Sequence, residues 1–262
     1  MRAAVAIAAA LCAAFVATRA DAAPPPTTLF QGAGVFLDNP GNLPGPWDLA
    51  DELEAAGFTW IAFHVNNGLL QIDADQLWID VFRAHGISVG GWGYEEQHPV
   101  IDAVLADLAV KRWGLDFYIA DAEAPYEQTR KVHGWKRSKT FVDEFRSLQP
   151  TLPAALTTYG AATAPWVLPI DFASWRAGGF ELLPQAYYNQ FPRSYRPDMT
   201  VAHALRAGWT VDQVHPVIGV YRKYPAANYV PLLQAAGTHG FSVWLADQAT
   251  AADYAALSVL TK

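Results

Sequence analysis

The sequence predicts an α/β protein built as a single (β/α)8 TIM barrel, and three observations lead to this fold. Eight short runs rich in apolar and β-branched residues recur along the chain, as the strands of a buried sheet do. Helical segments that end at glycine precede most of these runs, an alternation that is typical of βα units around a parallel sheet. The length of 262 residues also suits a single barrel of roughly 250 residues.

The predicted elements follow one another at regular intervals. The strands are placed at residues 34–38, 58–64, 87–92, 115–123, 154–159, 182–188, 214–220 and 241–246. The helices between them are placed at residues 48–57, 75–86, 100–113, 138–148 and 228–240. A doubly wound sheet would need a phosphate-cradling glycine loop after the first strand, but Gly32 precedes that strand and Pro40 follows it. Asn66, Asn67 and Gly68 predict a turn after the second strand.

The first residues predict a secretory signal peptide rather than part of the fold. Met1 and Arg2 form a short positive region, residues 3–16 are apolar, and Ala20 and Ala22 supply the small residues of a cleavage site. The apolar run is too short to span a bilayer. We therefore expect a signal peptide at 1–22, a proline-rich lead-in at 23–30 and the barrel at 31–262, in a secreted protein without a membrane span.

Composition excludes several classes of protein. The formal net charge is −7 and no basic stripe is present, which argues against nucleic acid as a partner. The single cysteine, Cys12, lies in the predicted signal, so the mature chain is neither a disulfide scaffold nor a thiolate metal site nor a cysteine-nucleophile enzyme. The seven histidines lack paired ligand spacing, and we predict neither a metal nor a cofactor. We expect a monomer.

The chain is rich in aromatic residues, with ten tryptophans and eleven tyrosines. Two interpretations are open. These rings either belong to the core or form a carbohydrate site, where flat rings stack on the apolar faces of sugars.

The end of the fourth predicted strand carries the most chemical information, because barrel enzymes place their functional residues at the C-terminal ends of strands. Alternate residues of a strand share a face, so Ile119, Asp121 and Glu123 point the same way. Two like charges this close raise at least one pKa, which keeps a carboxylic acid protonated for general-acid catalysis. The structural alternative is that the two carboxylates lie at the rim of the barrel and are neutralised by arginines.

Four strand ends together resemble family 18 glycoside hydrolases, the chitinase-like enzymes. Residues 116–123 resemble the family's Asp-x-x-Asp-x-Asp-x-Glu motif, and residues 88–91 match its Ser-x-Gly-Gly. Residues 185–188 resemble Met-x-Tyr-Asp, and residues 240–247 resemble Gly-x-x-x-Trp-x-x-Asp. Three positions differ from the family pattern: Ile119 replaces the middle Asp, Gln185 the Met, and Tyr188 the Asp after the tyrosine. Ile119 cannot take part in the family's carboxylate relay.

This resemblance implies a glycosidase that cleaves a glycan rich in N-acetylhexosamine. Glu123 would protonate the leaving oxygen, and Asp121 would orient the 2-acetamido group that attacks the anomeric carbon. Tyr187 would hydrogen-bond the acetamido oxygen, and Trp244 would form the floor beneath the sugar. The other side chains predicted to contact the glycan are Asp38, Trp92, Tyr159, Gln185, Asn189 and Asp247.

Two alternatives stay open at this point. Family 25 glycoside hydrolases, the lysozyme-like muramidases, also end a strand with Asp-x-Glu, and they have an early Asp and a tyrosine on strand five. In that case the enzyme supplies the carboxylate that faces Glu123. The candidates for it are Asp38, Glu95, Glu96 and Asp247. The other alternative is a non-catalytic carbohydrate-binding protein on a hydrolase scaffold, which Ile119 favours. His64, His98 and Glu127 near strand ends either line the cleft or are structural.

Overall fold

A computed structural model describes residues 28–43, 45–127, 134–160, 170–221 and 224–261. The predicted signal peptide and most of the lead-in lie outside these residues. The described part is a closed barrel of eight parallel strands surrounded by eight helices, which confirms the predicted (β/α)8 fold. No helix within it is long and apolar enough to cross a membrane.

The described residues form nine strands, and eight of these strands make up the barrel. They are β1 Ala33–Leu37, β2 Phe58–Asn67, β3 Leu70–Gln71, β4 Ser88–Glu95, β5 Tyr118–Ala122, β6 Ala154–Tyr159, β7 Glu181–Ala186, β8 Val217–Gly219 and β9 Phe241–Trp244. The short strand β3 pairs antiparallel with β2 and lies outside the barrel. Strand β1 pairs in parallel with both β2 and β9, and this double pairing closes the barrel.

The eight helices run outside the sheet. They are α1 Pro46–Ala55, α2 Gln76–Ala84, α3 Pro99–Trp113, α4 Gly134–Leu148, α5 Phe172–Ala177, α6 Pro197–Arg206, α7 Val230–Ala236 and α8 Ala251–Leu257. Helices α5, α6 and α8 were not among the predicted helices. The glycine-ended pattern itself is confirmed, because Gly114 and Gly237 follow α3 and α7 in the left-handed conformation that glycine adopts without steric cost.

The turn after β2 differs from its prediction. Asn66 and Asn67 still belong to β2 and pair with β3 and β4, so the turn begins only at Gly68. The φ angle of Gly68 is +53°, which suits glycine. The extra strand β3 extends β2 because the hairpin hydrogen bonds satisfy its backbone beyond the barrel.

Two layers of core follow from the alternation of side chains along the strands. Phe36, Trp60, Phe117 and Ile119 belong to the cluster inside the barrel, whereas Tyr118 belongs to the cluster between sheet and helices. The inner cluster also contains residues just outside the strands, such as Phe30 below β1. Asp121 therefore faces the interior, as Phe117 and Ile119 do, and it lies at the end of β5 where the barrel opens.

Candidate active site

A carboxylate pair lies at the mouth of the barrel, at the end of β5. Asp121 is buried and Glu123, one residue beyond the strand, is half-buried. From β7, the side-chain amide of Gln185 donates hydrogen bonds to both carboxylates, at 3.3 Å to Asp121 Oδ1 and 2.7 Å to Glu123 Oε1. One amide nitrogen carries two hydrogens, so a single side chain holds both predicted catalytic acids.

Burial and the charge of Glu123 raise the pKa of Asp121 well above its usual value. Ionising both carboxylates would place like charges close together in a poorly solvated region, and this favours the protonated form of Asp121. The pair can therefore act as one protonated acid and one carboxylate.

Three tyrosines surround this pair. Tyr159, at the end of β6, is hydrogen-bonded to Glu123, and burial together with that carboxylate raises the pKa of its phenol. The pKa of the buried Tyr187 is raised well above its ordinary value by burial and by the charges of Asp121 and Glu123. All these phenols stay protonated and can donate hydrogen bonds.

Tyr94 is the third of these tyrosines, and sequence reasoning missed it. Burial and the charges of Glu123 and Asp121 raise the pKa of its phenol. Tyr94 lies two residues after Trp92 on β4, and alternate residues of a strand share a face, so strand parity is the signal that could have found it.

Trp244, at the end of β9, forms the aromatic side of the mouth. Its ring lies 5.5 Å from Phe36, 5.0 Å from Trp92 and 6.4 Å from Tyr187, measured between centroids. The indole is partly exposed, unlike that of Trp92, and the peptide bond from Trp244 to Leu245 is cis. Trp244 is therefore a ring of this cluster that a ligand can reach.

Trp92 is buried, and another ring covers one of its faces. The imidazole of His64 stacks on it with 3.8 Å between centroids and 8° between planes. The indole N–H of Trp92 donates to the carbonyl oxygen of Leu37 at 3.2 Å. His64 in turn is hydrogen-bonded through Nδ1 to Asp38 Oδ1 at 2.6 Å. Trp92 and Asp38 thus lie at the mouth, and both side chains contact His64.

The other predicted binding residues lie on the loops of the same face. Asp247 accepts a hydrogen bond from Asn42 at 3.3 Å, and burial raises the pKa of its carboxyl. The amide group of Asn189 donates to the backbone oxygen of Tyr221 at 3.1 Å and accepts from the hydroxyl of Tyr229 at 3.0 Å. These contacts fix the loop after β7, which carries Tyr187.

The further carboxylates considered as partners of Glu123 lie elsewhere. Glu95 is fully buried and bonded to Tyr118, whose side chain belongs to the layer between sheet and helices. Glu96 packs over Gly68 in the turn after β2. Ile119 fills the position below Asp121 in the inner core and is fully buried.

One group of side chains within the described residues has the spacing of a cation site, and it is not at the mouth. Asp51 and Glu54 of α1 and His85 after α2 have ligand atoms within 4.8 Å of one another. Both carboxylates are exposed on the helical layer, where acidic side chains commonly lie without an ion.

No protein-family model matches the sequence, and no curated protein matches it. The fold is nevertheless similar to solved glycosidase structures. A GH18 chitinase from Pseudoalteromonas aurantia is similar with a TM-score of 0.64 at 15% identity, over 85% of this chain and 97% of that chain. A GH18 chitinase from Cycas revoluta in complex with (GlcNAc)3 gives 0.64 at 10% identity, over 88% and 98%.

The Bacillus cereus spore cortex-lytic enzyme SleL gives 0.62 at 10% identity, over 88% of this chain and 74% of that one. This chain therefore has the (β/α)8 fold of GH18 chitinases, as the motif resemblance implied. The competing resemblance to family 25 receives no support from these comparisons.

Proposed function

We propose that this protein is a glycosidase that cleaves glycans containing N-acetylglucosamine. The observation that carries the proposal is the carboxylate pair Asp121 and Glu123, joined by Gln185 at the mouth of the barrel. The substrate class is supported by a structure of the same fold, the Cycas revoluta chitinase, which is in complex with (GlcNAc)3.

The reaction we propose is substrate-assisted. Glu123 gives its proton to the glycosidic oxygen as the bond to the anomeric carbon breaks, and the oxygen of the sugar's own 2-acetamido group attacks that carbon. Asp121 orients the acetamido N–H, and Tyr187 donates to the acetamido oxygen. Glu123, now a carboxylate, takes a proton from the water that opens the cyclic intermediate, so the acid is regenerated.

The departures from the family motif change how the pair is held in this mechanism. Ile119 cannot pass a proton to Asp121 from below, because its side chain has no polar atom. Gln185 holds the pair from β7 instead, because its amide donates a hydrogen bond to one oxygen of each carboxylate. The pair therefore keeps its geometry without a third carboxylate.

The test of this function is Glu123→Gln, assayed by release of reducing ends from chitin oligomers. An amide cannot donate the acidic proton that the leaving oxygen needs, and a general acid is worth about 10²- to 10⁴-fold in rate. We expect that loss of kcat, with oligomer binding retained because the amide keeps the shape. Glu54→Gln, the same change on the exposed surface of α1, serves as the matched control and should leave kcat unaltered. Undiminished hydrolysis by Glu123→Gln would refute the assignment.

Matched oligosaccharides with and without the 2-acetamido group test the mechanism. Only the acetamido form should be cleaved if the substrate supplies the nucleophile. Equal rates on both would favour an enzyme carboxylate, as in the lysozyme-like scheme. Binding of chitin oligomers without any hydrolysis by the wild type would instead identify a carbohydrate-binding protein.

We also propose that the protein is secreted and monomeric. The motivating feature is the signal pattern at residues 1–22, which calls for cleavage after Ala22. N-terminal sequencing of protein from the culture medium should begin at Ala23, and light scattering of that protein should give the mass of one chain. Retention of the whole chain in the cell, or a dimeric mass, would contradict the respective part.

A further inference from the structure

We propose that His64, held by Asp38, is a positioning residue that fixes Trp92 and, through Trp92, the indole of Trp244. The contact between Trp244 and a sugar rests on the proposed function, whereas the ring geometry does not. His64 lies on β2, and the sequence predicts either a cleft residue or a structural residue at this position.

The first step is the fixing of His64 itself. Its Nδ1 lies 2.6 Å from Asp38 Oδ1, and its side chain is only 11% exposed against 42% for Asp38. A hydrogen bond at one ring nitrogen sets both the tautomer and the plane of an imidazole. Burial lowers the pKa of His64 while Asp38, the charged group that faces it, opposes this effect. The ring is thus neutral at neutral pH and stacks as a flat, uncharged plate.

The second step is the fixing of Trp92 between three contacts. His64 covers one face at 3.8 Å with nearly parallel planes, and the backbone oxygen of Leu37 accepts the indole N–H at 3.2 Å. Phe36 meets the ring edge-on at 6.2 Å. With a face, the polar nitrogen and an edge all engaged, the indole has one orientation available.

The third step leads to Trp244. Trp92 meets it at 5.0 Å with 66° between the planes, an edge-to-face geometry in which a rotation of one ring displaces the other. The four strands that carry these groups are β1, β2, β4 and β9, which are neighbours in the barrel. The mouth therefore has a positioned aromatic half opposite the half that carries the carboxylate pair on β5 and Gln185 on β7.

Three variants of the full chain test the inference, with chitotetraose as the probe. His64→Ala removes the ring that stacks on Trp92 and should raise KM about fivefold with kcat little changed. The reason is that an aromatic pair is worth roughly 2- to 10-fold in an equilibrium constant. His64→Phe keeps a flat ring, so it should restore KM to within about twofold of the wild type. Asp38→Asn keeps an acceptor for the imidazole N–H and should lie between the two.

Tryptophan emission provides a readout that needs no ligand. His64→Ala uncovers the face of Trp92 to water and should shift the emission to longer wavelength. The same substitution in a Trp92→Phe background should produce no shift, which assigns the signal to Trp92. Thermal unfolding of each variant shows whether it is folded. If His64→Ala does not fold, the comparison of His64→Phe with the wild type still tests the inference.

Several results would overturn the inference. Unchanged KM or unchanged emission in His64→Ala would show that His64 does not position the rings. Equal loss in His64→Ala and His64→Phe would assign the effect to the imidazole nitrogens instead of the stack. Failure of the proposed function is distinguishable, because the wild type would then not cleave chitotetraose while the emission shift would still be seen.

Discussion

At the scale of single residues, the hydrogen bonds that Gln185 donates to Asp121 and Glu123 should affect the pH dependence of kcat/KM. Gln185→Met installs the residue of the family motif and removes the amide donor. Hydrogen bonds to charged groups are worth roughly 1.5–3 kcal/mol, and about 1.4 kcal/mol corresponds to one pKa unit. Because an N–H donor favours the ionised form, its loss raises the pKa of the pair, and both limbs of the pH profile of kcat/KM should move up by about one unit.

Gln76→Met, on the exposed surface of α2, is the control for this experiment and should leave the pH profile in place. A pH profile of kcat/KM that is unchanged in Gln185→Met, or that moves to lower pH, would show that Gln185 does not govern the ionisation of Asp121 and Glu123.

Glu95 gives a second residue-scale prediction, on stability. Burial and the charge of Asp102 raise its pKa well above the usual value of 4.5. Tyr118 lies 2.7 Å from both Glu95 and Asn66 Oδ1, and a hydroxyl has one proton, so a neutral Glu95 that donates to Tyr118 satisfies both contacts. The folded state then binds a proton that the unfolded state releases, and stability falls as pH rises from 4.5 toward the raised pKa.

Glu95→Gln keeps the shape and removes this titration. Relative to the wild type it should gain unfolding free energy between pH 4.5 and pH 8, because the pKa of Glu95 in the folded protein is raised well above 4.5 by burial and by the charge of Asp102. Urea denaturation at both pH values measures the difference. A constant difference across this range would mean that Glu95 is already ionised in the folded protein.

At the scale of elements, the Ser-x-Gly-Gly motif of β4 has a packing reason. A Cβ on Gly90 would lie 2.3 Å from the ring of Phe117, which fills the barrel interior from the chain just before β5. Gly90→Ala should therefore cost about 1–3 kcal/mol of stability by overpacking. Gly45→Ala, where a Cβ meets nothing within 4 Å, is the matched control. Equal unfolding midpoints for the two variants would contradict this account.

The elements also show where sequence reasoning stopped short. Helix α8 begins with a capping box formed by Thr250 and Asp253, and α6 begins at Pro197, so both carried recognised start signals. Within the described residues no strand follows α8, so the pattern of a glycine-ended helix before a strand does not apply to it, whereas α6 is followed by Gly208 and fits that pattern. Helix α5 has only six residues, too few for a helical period to stand out.

At the scale of the whole molecule, closure of the barrel depends on β1, which pairs on both sides. Val35→Pro places a residue without an N–H in the middle of a strand that has two neighbours. The native tryptophan emission spectrum and the native far-UV circular dichroism spectrum should therefore be lost together. Leu70→Pro, in the peripheral strand β3, should leave both signals native. Survival of the native spectra in Val35→Pro would show that closure is dispensable.

The sequence by itself determined the order of strands and the two carboxylates at the end of β5. Strand periodicity and glycine conformation are local properties, and each is encoded within a few neighbouring residues. Only the tertiary structure decided that Gln185 holds a carboxylate 62 positions away, that Tyr94 joins the site and that His64 covers Trp92. These contacts join different strands, and their geometry depends on the register and closure of the barrel, which no short window of sequence contains.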